Sequence, residues 1–218
     1  MQSDRLIVVG LSEPTLTMIL DNLESCARFP SIYVVNNLAR TDLRPFANPR
    51  FHIVLGDRYQ HPEGPAEAFL GVNKPASKVA VFARVEHLGL AFTTIVHRSA
   101  AVSSTAILAA GVHVNSLVSV AACATLGPFA SVNRHASIGH HTQLGEFVTV
   151  NPGANIAGLV RVGARTTIGM GANVVDGVEI GADVVIGAGS LVTKDIPPGV
   201  LAYGNPCRVV RDYEAARN

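Results

Sequence analysis

From Val96 onward the chain repeats its hydrophobic pattern every six residues. Aliphatic side chains stand at Val96, Val102, Leu108, Val114, Val120, Leu126, Val132, Ile138 and Leu144. The series runs on through Val150, Ile156, Val162, Ile168, Val174, Ile180 and Ile186 to Val192, so all 17 positions are aliphatic and no insertion breaks the phase. Four residues after each aliphatic stands Ala, Ser or Thr ten times and Val or Ile seven times, and directly after it stands Gly or Asn ten times. A helix would bring apolar residues back every three to four positions, and an amphipathic strand every two. A period of six predicts a short flat strand and a corner, repeated. Three hexads then close one triangular coil, and stacked coils pair as parallel strands. At roughly 4.8 Å per coil, the 17 hexads make nearly six coils and a column on the order of 27 Å tall. The aliphatic points into the prism and the small residue fills the space beside it. Gly and Asn are expected at the corners, where φ is positive or cramped.

Before the repeat the pattern changes. Arg5–Gly10 (RLIVVG) reads as a buried strand, and a helix is expected to open near Ser12-Glu13-Pro14, with Ser as N-cap and Pro in the first turn. Ser31–Asn37, Phe51–Leu55 and Ala68–Val72 read as further strands. A second helix starts at Lys74-Pro75 and runs to about Leu88, where Gly89 stops it. Ala91–Val96 is the last strand and leads into the first hexad. Alternating strands and helices imply a small parallel α/β sheet. The expected division is therefore an α/β part over residues 1–95 and a parallel β-helix over residues 96–218, with the boundary near Ile95.

Composition narrows the function classes. Lys and Arg number 17 against 16 Asp and Glu, a formal charge of +1, which leaves no basic stripe for nucleic acid. Polar or glycine residues interrupt every apolar stretch well before the roughly 20 residues of a membrane helix. The start, MQSDRLIVVG, lacks the basic segment and cleavage site of a signal peptide. Cys26, Cys123 and Cys207 are odd in number, widely spaced and part of no metal motif, which reads as thiols in a reducing cytoplasm.

Several segments carry a family resemblance. A short α/β part feeding through His97-Arg98-Ser99-Ala100 into hexads, the run Ile138–Ala154 (IGHHTQLGEFVTVNPGA) and the run Pro197–Arg208 (PPGVLAYGNPCR) are together similar to one enzyme family. It comprises sialic acid O-acetyltransferases and the nucleotide-amino-sugar N-acetyltransferases that make bacillosamine- and perosamine-type sugars. The resemblance implies a Rossmann-like N-terminal domain and a left-handed β-helix. It further implies a homotrimer with active sites between neighbouring columns, acetyl-CoA as co-substrate, no metal, and a small sugar acceptor.

The same resemblance assigns residues. His140 matches the family's catalytic base, a role that suits an imidazole because its ordinary pKa lets it accept a proton at neutral pH. His141 follows where the family has Asp or Glu to orient and strengthen that base. A neutral imidazole can orient by hydrogen bonding but does not stabilise imidazolium as an anion does. Thr149, Met170 and Ala188 fall at positions near the pantetheine arm, Thr149 where the family often has His. Gly187, Gly189 and Gly204 would let backbone approach the coenzyme, and Lys194 and Arg208 are candidate partners for its phosphates. The acceptor would meet the turn after the first strand, Gly10-Leu11-Ser12-Glu13-Pro14-Thr15, where the family has a glycine-rich GxGGHG-type turn. Gly10, Ser12, Asn36, Asn37 and Asn73 are the binding candidates. The activity implied is acetylation of the amine of a nucleotide-linked amino sugar, with O-acetylation of a sugar as its close variant. Two other classes compete: a β-helix scaffold whose catalytic machinery has eroded, and a γ-carbonic-anhydrase-like metal enzyme built on His135 and His140. The latter lacks an obvious third ligand, since His113 and His97 stand at unremarkable spacings.

Overall fold

The computed structural model describes residues 4–10, 19, 22–23, 28–36, 49–55 and 66–213. Strands β1 (Arg5–Val9), β2 (Ser31–Asn36), β3 (Phe51–Leu55), β4 (Glu67–Leu70) and β5 (Ala91–Phe92) form a parallel sheet in the order β3-β2-β1-β4-β5. Leu6 and Val8 of β1, Ile32 and Val34 of β2 and Phe69 of β4 are buried together with Ile19, Leu23 and Phe29. The helix expected at Ser12 begins outside the described residues, although Ile19, Asn22 and Leu23 are helical. Helix α1 (Pro75–Val85) starts with proline in its first turn, where no N–H is needed. A 3-10 turn, Glu86–Leu88, extends it to Gly89, whose φ of 60° ends it in the left-handed region.

Residues 91–96 are two strands rather than the single one expected. Ala91–Phe92 pairs with β4, whereas β6 (Ile95–Val96) pairs with His113–Val114 of the next coil. Thr93 donates its amide to Ala68 O and Ile95 to Val112 O, so the chain leaves one sheet for the other between them.

From β6 to β22 (Leu191–Val192) the chain forms 17 two-residue strands, one per hexad. They build three parallel faces, each pairing residue i with residue i+18, as in Ser119↔Ser137 and Ser137↔Asn155. The first face carries the strands at Ile95, His113, Ser131, Thr149, Thr167 and Val185; the second begins at Ala101 and the third at Ile107. Inside, Val114, Leu126, Val132, Ile138, Val150, Ile156, Ile168 and Val192 are buried in one continuous core. The first face continues into β23 (Val200–Gly204), which pairs parallel with Val185–Ile186 and antiparallel with β24 (Cys207–Asp212). Among the described residues no helix is long and apolar enough to cross a membrane.

The corners correct one sequence expectation. The glycine directly after the aliphatic is not where φ turns positive. The left-handed residue comes two positions later, and nine non-glycine residues hold it: Leu117, Cys123, Phe129, His135, His141, Phe147, Leu159, Arg165 and Asp183, each with φ near 60°. That conformation costs a side chain about 1–2 kcal/mol. It also turns the amide toward the preceding coil, where His141 N–H bonds Ala122 O at 3.0 Å and Arg165 N–H bonds Glu146 O at 2.8 Å. The earlier glycine serves close approach instead: a Cβ on Gly139 would stand 2.3 Å from the carbonyl carbon of Ala157 in the next coil.

Candidate active site

His140 stands exposed on the edge that follows the second face, two residues after the buried Ile138. The coil period places Gly158, Asp176 and Lys194 below it on the same edge. The His140 ring covers Gly158, since a Cβ there would lie 2.6 Å from both Cε1 and Nε2. Gly158 in turn donates its amide to Asp176 Oδ1 at 2.9 Å. On the other side, His140 Nδ1 lies 3.2 Å from His141 Nδ1, with the rings edge to face at 83°. The left-handed backbone at His141, φ 58°, belongs to the same corner. Glu146, the nearest carboxylate in sequence, is engaged elsewhere: it pairs with Arg165 at 3.5 Å, and Arg165 also binds Asp183 at 2.7 Å.

The His140 pair can pass a proton in only one arrangement. One Nδ1 must donate and the other accept. If His140 Nδ1–H donates to His141, Nε2 of His140 keeps a lone pair and is free to act as a base. His141 then accepts through Nδ1 and carries its own proton on Nε2. After proton transfer the imidazolium keeps its donor bond to His141.

Met170 and Ala188 lie on a different edge, the one after the first face, and both are exposed. Gly187, beside Ala188, has its Cα against Tyr203, whose Cβ would be 2.6 Å from an added Cβ. Gly189, with φ 66°, is a left-handed corner residue facing open space. Lys194 is exposed below Asp176, and Arg208, also exposed, donates to the Cys207 carbonyl at 2.9 Å. Within one chain, then, His140 and the Met170–Ala188 edge are separated by the width of the second face.

Thr149, expected near the pantetheine arm, is instead buried on the outer side of the first face, where α1 covers it and occupies its hydroxyl. It donates its hydroxyl to Asn73 O at 2.6 Å and accepts from Lys78 Nζ at 3.0 Å. Asn73 follows β4 and lines a cavity of about 720 Å³, together with Lys74, Thr149, Thr167, Arg165 and Tyr213. The cavity lies where the carboxyl end of a parallel strand meets the helical column, a usual place for a ligand in α/β architecture. Gly10, at φ 73°, packs against Val81 of α1, leaving under 3 Å for any Cβ. Asn36 ends β2; Ser12 and Asn37 lie outside the described residues.

Two features of this region are silent in the residue pattern. Lys78 is fully enclosed and donates to Phe129 O, Val148 O and Thr149 Oγ1. Burial holds its amine well below the usual lysine range. His113 is buried against Phe69, with Nε2 3.1 Å from Asn22 Nδ2; burial, then the nearby Lys78, pushes its pKa down to about 3. Gly158 could have been found, because a residue 18 positions after a functional one lies directly beneath it. His135 stands on a different edge from His140, and among the described residues no group of three or more His, Cys, Asp or Glu could hold a metal ion.

Comparison with known proteins supports the fold. Residues 159–194 match the bacterial transferase hexapeptide (six repeats) family. No curated protein matches the sequence. Among solved structures, perosamine N-acetyltransferase from Caulobacter crescentus, in a variant form with CoA and GDP-perosamine, is similar over 97% of this chain and 99% of its own, at 26% identity and TM-score 0.80. The acetyltransferase domain of PglB from Neisseria gonorrhoeae, in complex with acetyl coenzyme A, shares the fold at TM-score 0.86 and 24% identity, over 96% of this chain and 100% of its own. WeeI from Acinetobacter baumannii does so at TM-score 0.80 and 18% identity, over 94% and 99%. Residues 159–194 carry the transferase hexapeptide repeat, and over nearly its full length the chain is similar to acetyltransferases. Within that class it is similar to the enzymes that acetylate nucleotide-linked amino sugars.

Proposed function

We propose that the protein transfers the acetyl group of acetyl-CoA to the amine of a nucleotide-linked amino sugar, with His140 as general base. The observation that carries the reading is the exposed His140 ring, with Nδ1 occupied by His141 and Nε2 over Gly158, in a chain whose full length is similar to an enzyme with CoA and GDP-perosamine bound. In the reaction the acceptor nitrogen attacks the thioester carbonyl, and His140 Nε2 takes the proton that the nitrogen sheds. As the tetrahedral intermediate collapses the C–S bond breaks, and the same proton goes to the departing sulfur.

The column is a left-handed β-helix and works as a cytoplasmic homotrimer. The separation of His140 from Met170 and Ala188 supports the trimer, because a groove between two columns can set the second edge of one subunit against the first edge of the next. CoA would then lie along Met170, Gly187, Ala188 and Gly189 of one subunit, with its phosphates toward Lys194 or Arg208. The acceptor would enter the cavity at Asn73, beside Gly10, Ser12, Asn36 and Asn37, and present its amine to the neighbour's base.

The test is thiol release from acetyl-CoA with a panel of GDP- and UDP-linked amino sugars. His140→Ala is expected to lower kcat by roughly 10²–10⁴-fold, the usual worth of a general base. The reading is lost if His140→Ala turns over as fast as the unaltered protein, or if acetyl-CoA does not bind.

A further inference from the structure

Lys78 has no role in the acetyl transfer just described, yet it is among the most costly residues in the molecule to place. Its side chain is fully buried, and no ion pair reaches it among the described residues. Its three acceptors, Phe129 O at 3.0 Å, Val148 O at 3.2 Å and Thr149 Oγ1 at 3.0 Å, match the three N–H donors of an ammonium. Even the neutral amine that burial favours keeps two N–H donors, and Thr149 Oγ1, its own proton committed to Asn73 O, can only accept from it. Burying such a group without an opposing charge is unfavourable by several kcal/mol unless hydrogen bonds satisfy it, so a merely structural site would be better served by an apolar side chain.

The third bond shows what the arrangement achieves. A hydroxyl has a single proton. With one lone pair of Thr149 Oγ1 taken by Lys78, that proton points to Asn73 O, 2.6 Å away. The carbonyl of Asn73, a residue that lines the 720 Å³ cavity, is thereby tied to the column. Residues 71–73 are irregular, and among the described residues Gly71 N–H to Val9 O is a further backbone tie.

We propose that Lys78 is a positioning residue: through Thr149 it fixes the Asn73 turn and so sets the geometry in which the acceptor is held. The inference rests on the acetyltransferase reading for its kinetic consequence, but not for its structural one. Lys78 acts through Thr149 and touches neither substrate.

Thr149→Val keeps the shape and removes the hydroxyl, whereas Thr149→Ser keeps the hydroxyl. In Thr149→Val, and in Lys78→Met where it folds, KM for the acceptor is expected to rise about tenfold or more. That rise corresponds to about 1.4 kcal/mol of lost binding; kcat and KM for acetyl-CoA should move less than about twofold. Thr149→Ser should restore the acceptor KM. Amide hydrogen exchange over residues 71–76 is measured on the same proteins without substrates. Faster exchange is expected in Thr149→Val and protection close to that of the unaltered chain in Thr149→Ser. If Thr149→Val leaves both the exchange and the acceptor KM unchanged, or if Thr149→Ser is as impaired as Thr149→Val, the proposal is overturned. Should the unaltered protein acetylate no amino sugar, the acetyltransferase reading fails alone, and the exchange pattern still decides the role of Lys78.

Discussion

The imidazole of His140 lies against the Cα of Gly158, one full coil further along the chain, with room for hydrogen and for nothing larger. The ring is exposed and its far end can swing, so a methyl group at Gly158 would displace it at little cost to the fold. Gly158→Ala is expected to lower kcat at least tenfold, because misplacing a reacting group by about 1 Å can cost on the order of 10²-fold. Its melting temperature should stay within about 2 °C of the unaltered protein. An undiminished kcat would show that the ring's seat on Gly158 does not matter.

His141 occupies the place where an anion would serve His140 better. A carboxylate there would stabilise the imidazolium and raise the pKa of the base. His141→Glu is expected to shift the acidic limb of the kcat/KM profile to higher pH, whereas His141→Leu should lower kcat several-fold by freeing the His140 ring. Two pH profiles decide this, and an unmoved limb in His141→Glu would remove His141 from the site.

If the active site is shared between columns, two inactive proteins can repair one another. His140→Ala loses the base, and Met170→Glu puts a charge on the opposite edge where the coenzyme would lie. Mixed trimers, refolded together, contain sites made of one intact edge from each parent, so activity should return to a substantial fraction of normal. Mixtures that stay as inactive as their parents would argue for a site within a single chain.

Acid should weaken the fold through His113. Its pKa is held at about 3 in the folded chain, against about 6.5 in an unfolded one. The neutral ring's contribution is therefore complete above pH 6.5 and is lost as pH falls toward 3, at about 1.4 kcal/mol per pH unit. Between pH 6.5 and 5 the expected loss is about 2 kcal/mol, read as a fall in the urea midpoint. His113→Gln should flatten that dependence, and an equal slope in both proteins would contradict it.

Two kinds of glycine should respond differently to alanine. Gly153, at φ 68° with open space around it, is expected to cost about 1–2 kcal/mol, the ordinary penalty of the left-handed region. Gly163 has an ordinary backbone, but a Cβ there would stand 2.3 Å from the amide nitrogen of Ala182. Gly163→Ala must push two coils apart, and about 3 kcal/mol or more is expected from such overpacking. Denaturant midpoints for the pair test the distinction.

The column was legible because its core is periodic: Val96 to Val192 determines strand, corner and register together, and each hexad became one strand. The corner was harder to read. Glycine after the aliphatic suggests a positive φ, yet Gly139 and Gly163 are there to let coils touch, while Phe129, His141 and Arg165 carry the strained backbone two residues later. Nothing in the residue types distinguishes those uses; the distance to the next coil does. The surroundings of His140 were partly legible, since Gly158 and Asp176 follow at multiples of 18. The contacts of Thr149 were not. They depend on Lys78, which reads as one polar position in a helix, and on Asn73, more than 70 residues away in sequence.

The antiparallel strand β24 has a consequence for assembly. A stack of parallel coils ends in unpaired backbone groups, an invitation for another copy to continue the ladder. Here β23 folds back through β24, which runs against the direction of every coil and exposes Arg208, Arg211 and Asp212 along its length. A second molecule arriving at that end would meet reversed polarity and charge on the first face. The hairpin thus ends the parallel pairing of the first face, and a further strand laid on β24 in the direction of the coils would have to pair antiparallel.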